Sequence, residues 1–164
     1  MAILQKITPC LWFDAEAEQA AEFYVSIFEN STILRRLQYT EAGYEIHGRI
    51  AGTIMLVEFE ILGQRFTALN GGPQFKFNEA ISLEVNCDTQ EEIDYFWDRL
   101  GDGGEKGPCG WLKDRYGLSW QVTPAILAKM LSDPDKEKCM RVTNAFLQME
   151  KLDIDTLERA YAGE

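Results

Sequence analysis

Two carboxylates interrupt apolar stretches: Glu58 stands between Val57 and Phe59, and Glu84 between Leu83 and Val85. Neighbouring side chains on a strand point to opposite faces, so each carboxylate lies across the strand from its apolar neighbours. Such a face is ordinarily solvated. Where sheets curve into a cup it lines a cavity instead, and desolvation then makes Glu58 or Glu84 a candidate general base. The thiols say something different. Cys10, Cys87, Cys109 and Cys139 are scattered with no C-x-x-C pair, which fits reduced cysteines in a cytoplasmic protein and argues against a disulfide framework. Cys109, in Gly107-Pro108-Cys109-Gly110-Trp111 with Lys106 and Lys113 nearby, is expected to be the exposed thiol. Cys10 and Cys87 fall on strands and are expected as apolar filler. The single His47 excludes a multi-histidine zinc site and reads as a surface residue beside a loop. Trp12, Trp111 and Trp120 are candidate flat walls of a pocket, although aromatics more often fill a core.

Nucleotide chemistry is argued against by the glycines. The run Gly101-Asp102-Gly103-Gly104-Glu105-Lys106-Gly107 follows a helical pattern and leads into a strand. A phosphate loop does the reverse, because a helix N-terminus supplies the free amides. No G-x-G-x-x-G or G-x-x-x-x-G-K occurs elsewhere, so a Rossmann or P-loop cofactor site is excluded, and a methyl donor held on a glycine-rich turn is disfavoured. The formal net charge of −11 argues against nucleic acid or an anionic membrane as partner. No charged start runs into an apolar stretch, and no segment approaches the ~20 apolar residues of a membrane span.

These side chains must be held by elements that the sequence spells out twice. Alternation predicts a strand over 3–13, and Asp14 caps a helix over 15–29 whose stripe is Ala17, Ala20, Ala21, Tyr24 and Phe28. A strand over 32–39, a loop over 41–45 and a hairpin of 51–61 with 65–70 follow, turned at Leu62-Gly63-Gln64. The order then restarts. A strand over 80–87 leads to the capping box Thr89-Gln90-Glu91-Glu92 and a helix carrying Ile93, Phe96, Trp97 and Leu100, which Gly101 ends. After the glycine-rich connection come 111–114, a turn at Arg115-Tyr116-Gly117, and a strand over 118–123. The repeat is about seventy residues long, with Phe13-Asp14 laid over Cys87-Asp88 and Phe23-Tyr24 over Phe96-Trp97. Beyond Pro124 the chain is helical: 125–131, then from Pro134 to about 150 with Cys139, Val142, Phe146 and Leu147 on one stripe, then 155–162. This tail is expected to pack across the sheet or against a second subunit.

Several of these segments resemble the PhnB-like proteins, a family labelled 3-demethylubiquinone-9 3-methyltransferase-like within the vicinal oxygen chelate group. They are Ile7-Thr8-Pro9-Cys10-Leu11-Trp12-Phe13-Asp14 with Ala20-Ala21-Glu22-Phe23-Tyr24, then Phe66-Thr67-Ala68-Leu69-Asn70-Gly71-Gly72-Pro73. Glu79-Ala80-Ile81-Ser82-Leu83, Cys109-Gly110-Trp111-Leu112-Lys113-Asp114 and Gly117-Leu118-Ser119-Trp120-Gln121-Val122 complete the set. The resemblance implies an α+β fold of two βαβββ modules forming a cupped sheet, usually dimeric, with the ligand inside the cup. It places the PhnB-type domain at 1–124, with modules at about 1–73 and 78–124, and a helical extension at 125–164. Metal-dependent members of the group place His or Glu at positions that here fall on Thr8, a residue within 67–69, Ala80 and Gln121. Thr8 and Ala80 are not divalent-metal ligands, while a shift of one or two residues would bring in Glu79. The expectation is therefore a cytoplasmic homodimer with no metal or cofactor and no methyltransferase chemistry. It holds a small organic molecule against Thr8, Cys10, Trp12, Glu58, Ser82, Glu84 and Gln121. The alternative is a metal-dependent lyase, isomerase or dioxygenase of the same group.

Overall fold

Val57, Phe59 and Ile61 alternate with Leu56, Glu58 and Glu60, and the first three are buried while the others are half-exposed. This pattern sets the architecture of the first compact unit, Met1–Lys76. The computed structural model describes residues 5–164. The unit runs β1 (Cys10–Phe13), α1 (Ala17–Ile27), β2 (Thr32–Gln38), α2 (Tyr44–His47), β3 (Ile54–Ile61) and β4 (Gln64–Asn70). Its sheet order is β1-β4-β3-β2, with β1 parallel to β4 and the other pairs antiparallel. The small, buried stripe of α1 (Ala17, Ala20, Ala21, Tyr24) lets the helix lie close on the sheet, where Tyr24 stacks on Phe59 at 6.1 Å. The hairpin turn is only two residues, Leu62-Gly63. Both have positive φ (49° and 81°), the geometry that matches the twist of the strands.

The second unit, Phe77–Glu164, repeats the scheme. It runs β5 (Leu83–Cys87), α3 (Gln90–Gly101), β6 (Glu105–Lys106), β7 (Trp111–Lys113) and β8 (Ser119–Pro124), in the order β5-β8-β7-β6. Val85, Leu112, Trp120 and Val122 are buried, together with Ile93, Trp97 and Leu100 of α3. Both units are thus βαβββ modules, and the fold is α+β. The Thr89 hydroxyl accepts from the Glu92 amide at 3.2 Å, but the Glu92 carboxylate takes the amide of Asp88 (2.6 Å), one residue earlier than a regular capping box. Asp114, 3% exposed, organises the β7–β8 turn by accepting from the amides of Tyr116 and Leu118 and from Trp120 Nε1.

The structure departs from the sequence expectations in several places. The first strand begins at Cys10, so Thr8 precedes it; residues 3 and 4 lie outside the described residues. The second module's strand begins at Leu83, so Ser82 also precedes its strand. The expected loop over 41–45 runs into the one-turn helix α2, and the glycine-rich connection contains the short strand β6. The tail forms α4 (Ala125–Leu131), α5 (Lys136–Phe146) and α6 (Ile154–Ala162). It closes on its own core of Met130, Val142 and Leu157, while Leu147 is exposed because α5 stops at Phe146. No helix among the described residues is long and apolar enough to cross a membrane.

Candidate functional site

In the first module α1 covers one sheet face, and the other carries cross-strand rows of side chains. Cys10 pairs with Thr67, Thr67 with Glu58 and Glu58 with Arg35; two residues along, Trp12, Leu69, Leu56 and Leu37 form the next row. A bulge between Ile33 and Arg35 brings Arg35 onto this face, while Arg36 turns to the helix side and pairs with Glu18 and Glu22. Arg35 grips Glu58 with two bonds, Nε to Oε2 at 3.2 Å and a terminal nitrogen to Oε1 at 2.5 Å, and the pairing raises the Arg35 pKa above its ordinary value. Glu58 is therefore ion-paired, not the lone desolvated base that the sequence suggested.

Trp12 is fixed in place. Its Nε1 donates to the Gly72 carbonyl at 2.8 Å, and Phe75 meets the ring edge-on at 4.9 Å. The ring lies so close over Gly71 that a Cβ there would sit 2.2 Å from it. Only glycine fits under the indole. Thr8 is exposed.

In the second module the open face carries Glu84, Gln121 and Trp111 in one cross-strand row. Gln121 Nε2 donates to Ser82 Oγ at 2.9 Å, and Thr123 Oγ1 donates to Glu84 Oε1 at 2.8 Å. Lys113, which pairs with Ser119 across the ladder, bonds Glu79 and lies 3.6 Å from Glu105. That bond holds the Glu79 carboxyl below its ordinary range and raises the Lys113 ammonium. Trp111, Lys113, Glu79 and Pro108 line a cleft of about 170 Å³. The sequence reading names Glu58 and Glu84, has Lys113 only as a neighbour of Cys109 and Thr67 only within 67–69, and gives Arg35 no role. Counting back from the Leu62-Gly63 turn would have set Thr67 opposite Glu58.

The remaining candidates are structural. Trp120 is buried and bonds Asp114 at 2.9 Å, so it fills the core instead of walling a pocket. His47 is half-buried on Tyr39 (4.6 Å), with Nδ1 accepting from the Arg49 amide, which leaves Nε2–H to donate to the Ala42 carbonyl. A wider cleft of about 440 Å³ lies beside the start of α1, where Arg49 bonds Asp14, Asn70 the Ala17 amide and Glu18 Arg36. Two of the thiols depart from the expectation, while Cys87 is buried as expected. Cys10 is exposed on the open face and Cys109 is half-buried. Cys87 is buried, and burial with the nearby Glu92 and Asp88 charges pushes its thiol up to about 12. Cys139 donates to the Asp133 carbonyl at 3.1 Å.

Among the described residues no three His, Cys, Asp or Glu side chains group as donors for a metal ion. Ala80 offers no donor, Gln121 offers one neutral amide oxygen while its nitrogen donates to Ser82, and Glu79 is taken by Lys113. This donor set does not fit a divalent centre.

The family described as 3-demethylubiquinone-9 3-methyltransferase matches residues 5–123. The chain belongs to this family. The matched residues stop just before α4. A PhnB protein from Bacillus cereus has a similar structure, with 37% identity and a TM-score of 0.64, covering 74% of this chain and 100% of that one. Protein PA1353 from Pseudomonas aeruginosa shares the fold at 19% identity and a TM-score of 0.58, covering 73% of this chain and 98% of that one. The fosfomycin resistance protein FosX from Listeria monocytogenes shares it at 16% identity and a TM-score of 0.51, covering 80% and 99%. No curated protein matches the sequence.

Proposed function

We propose that this PhnB-like protein binds a small, partly apolar organic molecule against the open faces of its sheets and needs no resident metal or cofactor to do so. Thr8, Cys10, Trp12 and Glu58 of the first module and Ser82, Glu84 and Gln121 of the second are the contact residues in this reading. The observation that carries it is the immobilised indole of Trp12, beside the Cys10–Thr67–Glu58–Arg35 row on the sheet face opposite α1. A flat apolar wall next to convergent hydrogen-bonding groups is how small-molecule sites are commonly built. The functional unit is a homodimer of the domain 1–124, carrying 125–164 as an extension, and it works in the cytoplasm. No methyl transfer is part of the proposal, because among the described residues no glycine-rich turn opens a helix to hold a nucleotide-type donor.

The test combines two measurements on protein purified without added metal. Elemental analysis is expected to find no stoichiometric Zn, Ni, Mn or Fe, and calorimetry to find no heat on adding S-adenosylmethionine. A stoichiometric transition metal would favour a lyase, isomerase or dioxygenase, and measurable S-adenosylmethionine binding would restore the methyltransferase reading.

A further inference from the structure

The extension is hydrogen-bonded to the turn that feeds Trp111 into β7. Cys109 takes φ 57° there, a left-handed conformation that non-glycine residues rarely adopt, and Gly110 follows at φ 80°. Two short bonds from the extension hold both residues: the Cys109 amide donates to the Met149 carbonyl and the Gly110 amide to the Glu150 carbonyl, each at 2.7 Å. Leu152, fully buried, packs against Gly110, where a Cβ would meet its Cδ1 at 3.2 Å. The segment is tied to α3 as well. Gln90 donates to the Leu152 carbonyl and accepts from the Ile154 amide, and Lys151 pairs with Asp94 at 2.6 Å. On the other side of the turn, the Gly110 carbonyl accepts from Val122 of β8 and the Gly107 amide donates to the Trp111 carbonyl. The strap therefore presses on the residue just before Trp111. Its residues lie beyond the family match, which ends at 123.

We propose that residues 149–152 are a positioning strap. They hold the Cys109-Gly110 turn in its left-handed form and thereby aim Trp111, the row neighbour of Gln121, at the ligand; the functional meaning rests on the binding role proposed above for this face. Ligand selectivity in this chain is then set partly by an element that the matched domain does not contain. A left-handed non-glycine residue persists only where its surroundings over-determine it, and the strap supplies those surroundings.

The test uses the full chain labelled with 5-fluorotryptophan, whose four indoles report separately by ¹⁹F resonance. Gln90→Ala and Leu152→Ala are expected to raise hydrogen exchange of the Cys109 and Gly110 amides on the order of tenfold. They are also expected to shift or broaden the Trp111 resonance while leaving the core indoles of Trp97 and Trp120 in place. Leu152→Met, which keeps the packing volume, is expected to restore the native spectrum. Lys151→Ala is the milder variant should either substitution prevent folding, and a smaller change of the same kind is expected from it. Deprotected amides with an unmoved Trp111 signal would overturn the proposal, as would equal movement of all three module-two indoles, the mark of general loosening. No ligand enters this experiment, so a failure of the binding role and a failure of the strap show up separately.

Discussion

The two modules share an element order and a sheet order, yet they begin their helices in opposite ways. In the second, Thr89 caps α3 from the adjacent residue. In the first, the residue ahead of α1 is Glu16, whose side chain makes no cap bond to the helix. The cap comes instead from the end of β4: buried Asn70 accepts from the Ala17 amide at 2.8 Å and donates to the Ile54 carbonyl at 3.0 Å. A local cap forms with its helix, whereas the remote one forms only when the sheet is in place. The turns differ as well. The β3–β4 turn is made by the positive φ angles of Leu62 and Gly63, whereas the β7–β8 turn adds the buried Asp114 side chain to the positive φ of Gly117. Module one thus closes its helix with a residue distant in sequence, and module two with an adjacent one.

The largest effect is expected where a buried charge organises several donors. Asp114→Ala removes these three bonds, to the Tyr116 and Leu118 amides and the Trp120 indole N–H, and should cost about 3–5 kcal/mol in urea unfolding. A loss below about 1 kcal/mol would show that the turn does not depend on this carboxylate.

Next comes the cap comparison itself. Asn70→Ala is expected to cost about 2–3 kcal/mol, since it leaves the Ala17 amide and the Ile54 carbonyl without these partners in a buried setting. Thr89→Ala should cost about 1 kcal/mol. Equal costs would erase the distinction between remote and local capping.

Much of the fold is legible in the sequence because it is written in short-range pattern. Val57, Phe59 and Ile61 announce a one-sided strand, and Thr89 with Glu92 announces a helix start. What is hidden depends on contacts distant in sequence. Asn70 caps a residue 53 positions away, which no local signal encodes. The bulge at Leu34 defeats strict alternation, so Arg35 does not read as the partner of Glu58. At the site, the sequence puts Glu58 and Glu84 across from apolar neighbours but is silent on their engagement by Arg35 and Thr123. The exposure of Cys10 was missed for a related reason: it opens the edge strand β1 on the face left uncovered by α1.

Acid is expected to act on the extension. Lys151 and then Gln90 hold the Asp94 carboxyl below its ordinary 3.8, the Tyr161 hydroxyl does the same for Asp133, and Thr156 for Asp153. A depressed folded-state pKa stabilises above the unfolded value and is lost as pH falls through the folded one. Signals from α5 and α6 should therefore weaken as pH drops below 3.8, before those of the first module; simultaneous loss in NMR spectra would contradict this. The smallest effect concerns reactivity alone. Cys10 should label first with a disulfide reagent at neutral pH and Cys87 last, its thiol being buried and raised to about 12. Mass mapping of the labelled peptides reads the order, and early labelling of Cys87 would contradict its burial.

The most direct measurement is an NMR titration with small aromatic and carboxylic fragments, following the Trp12 and Trp111 indole N–H and the Gln121 side-chain amide, with and without EDTA. Binding on the open faces predicts that at least one fragment moves these signals equally in both conditions. Signals that no fragment moves, or shifts that vanish when chelator is added, would contradict it.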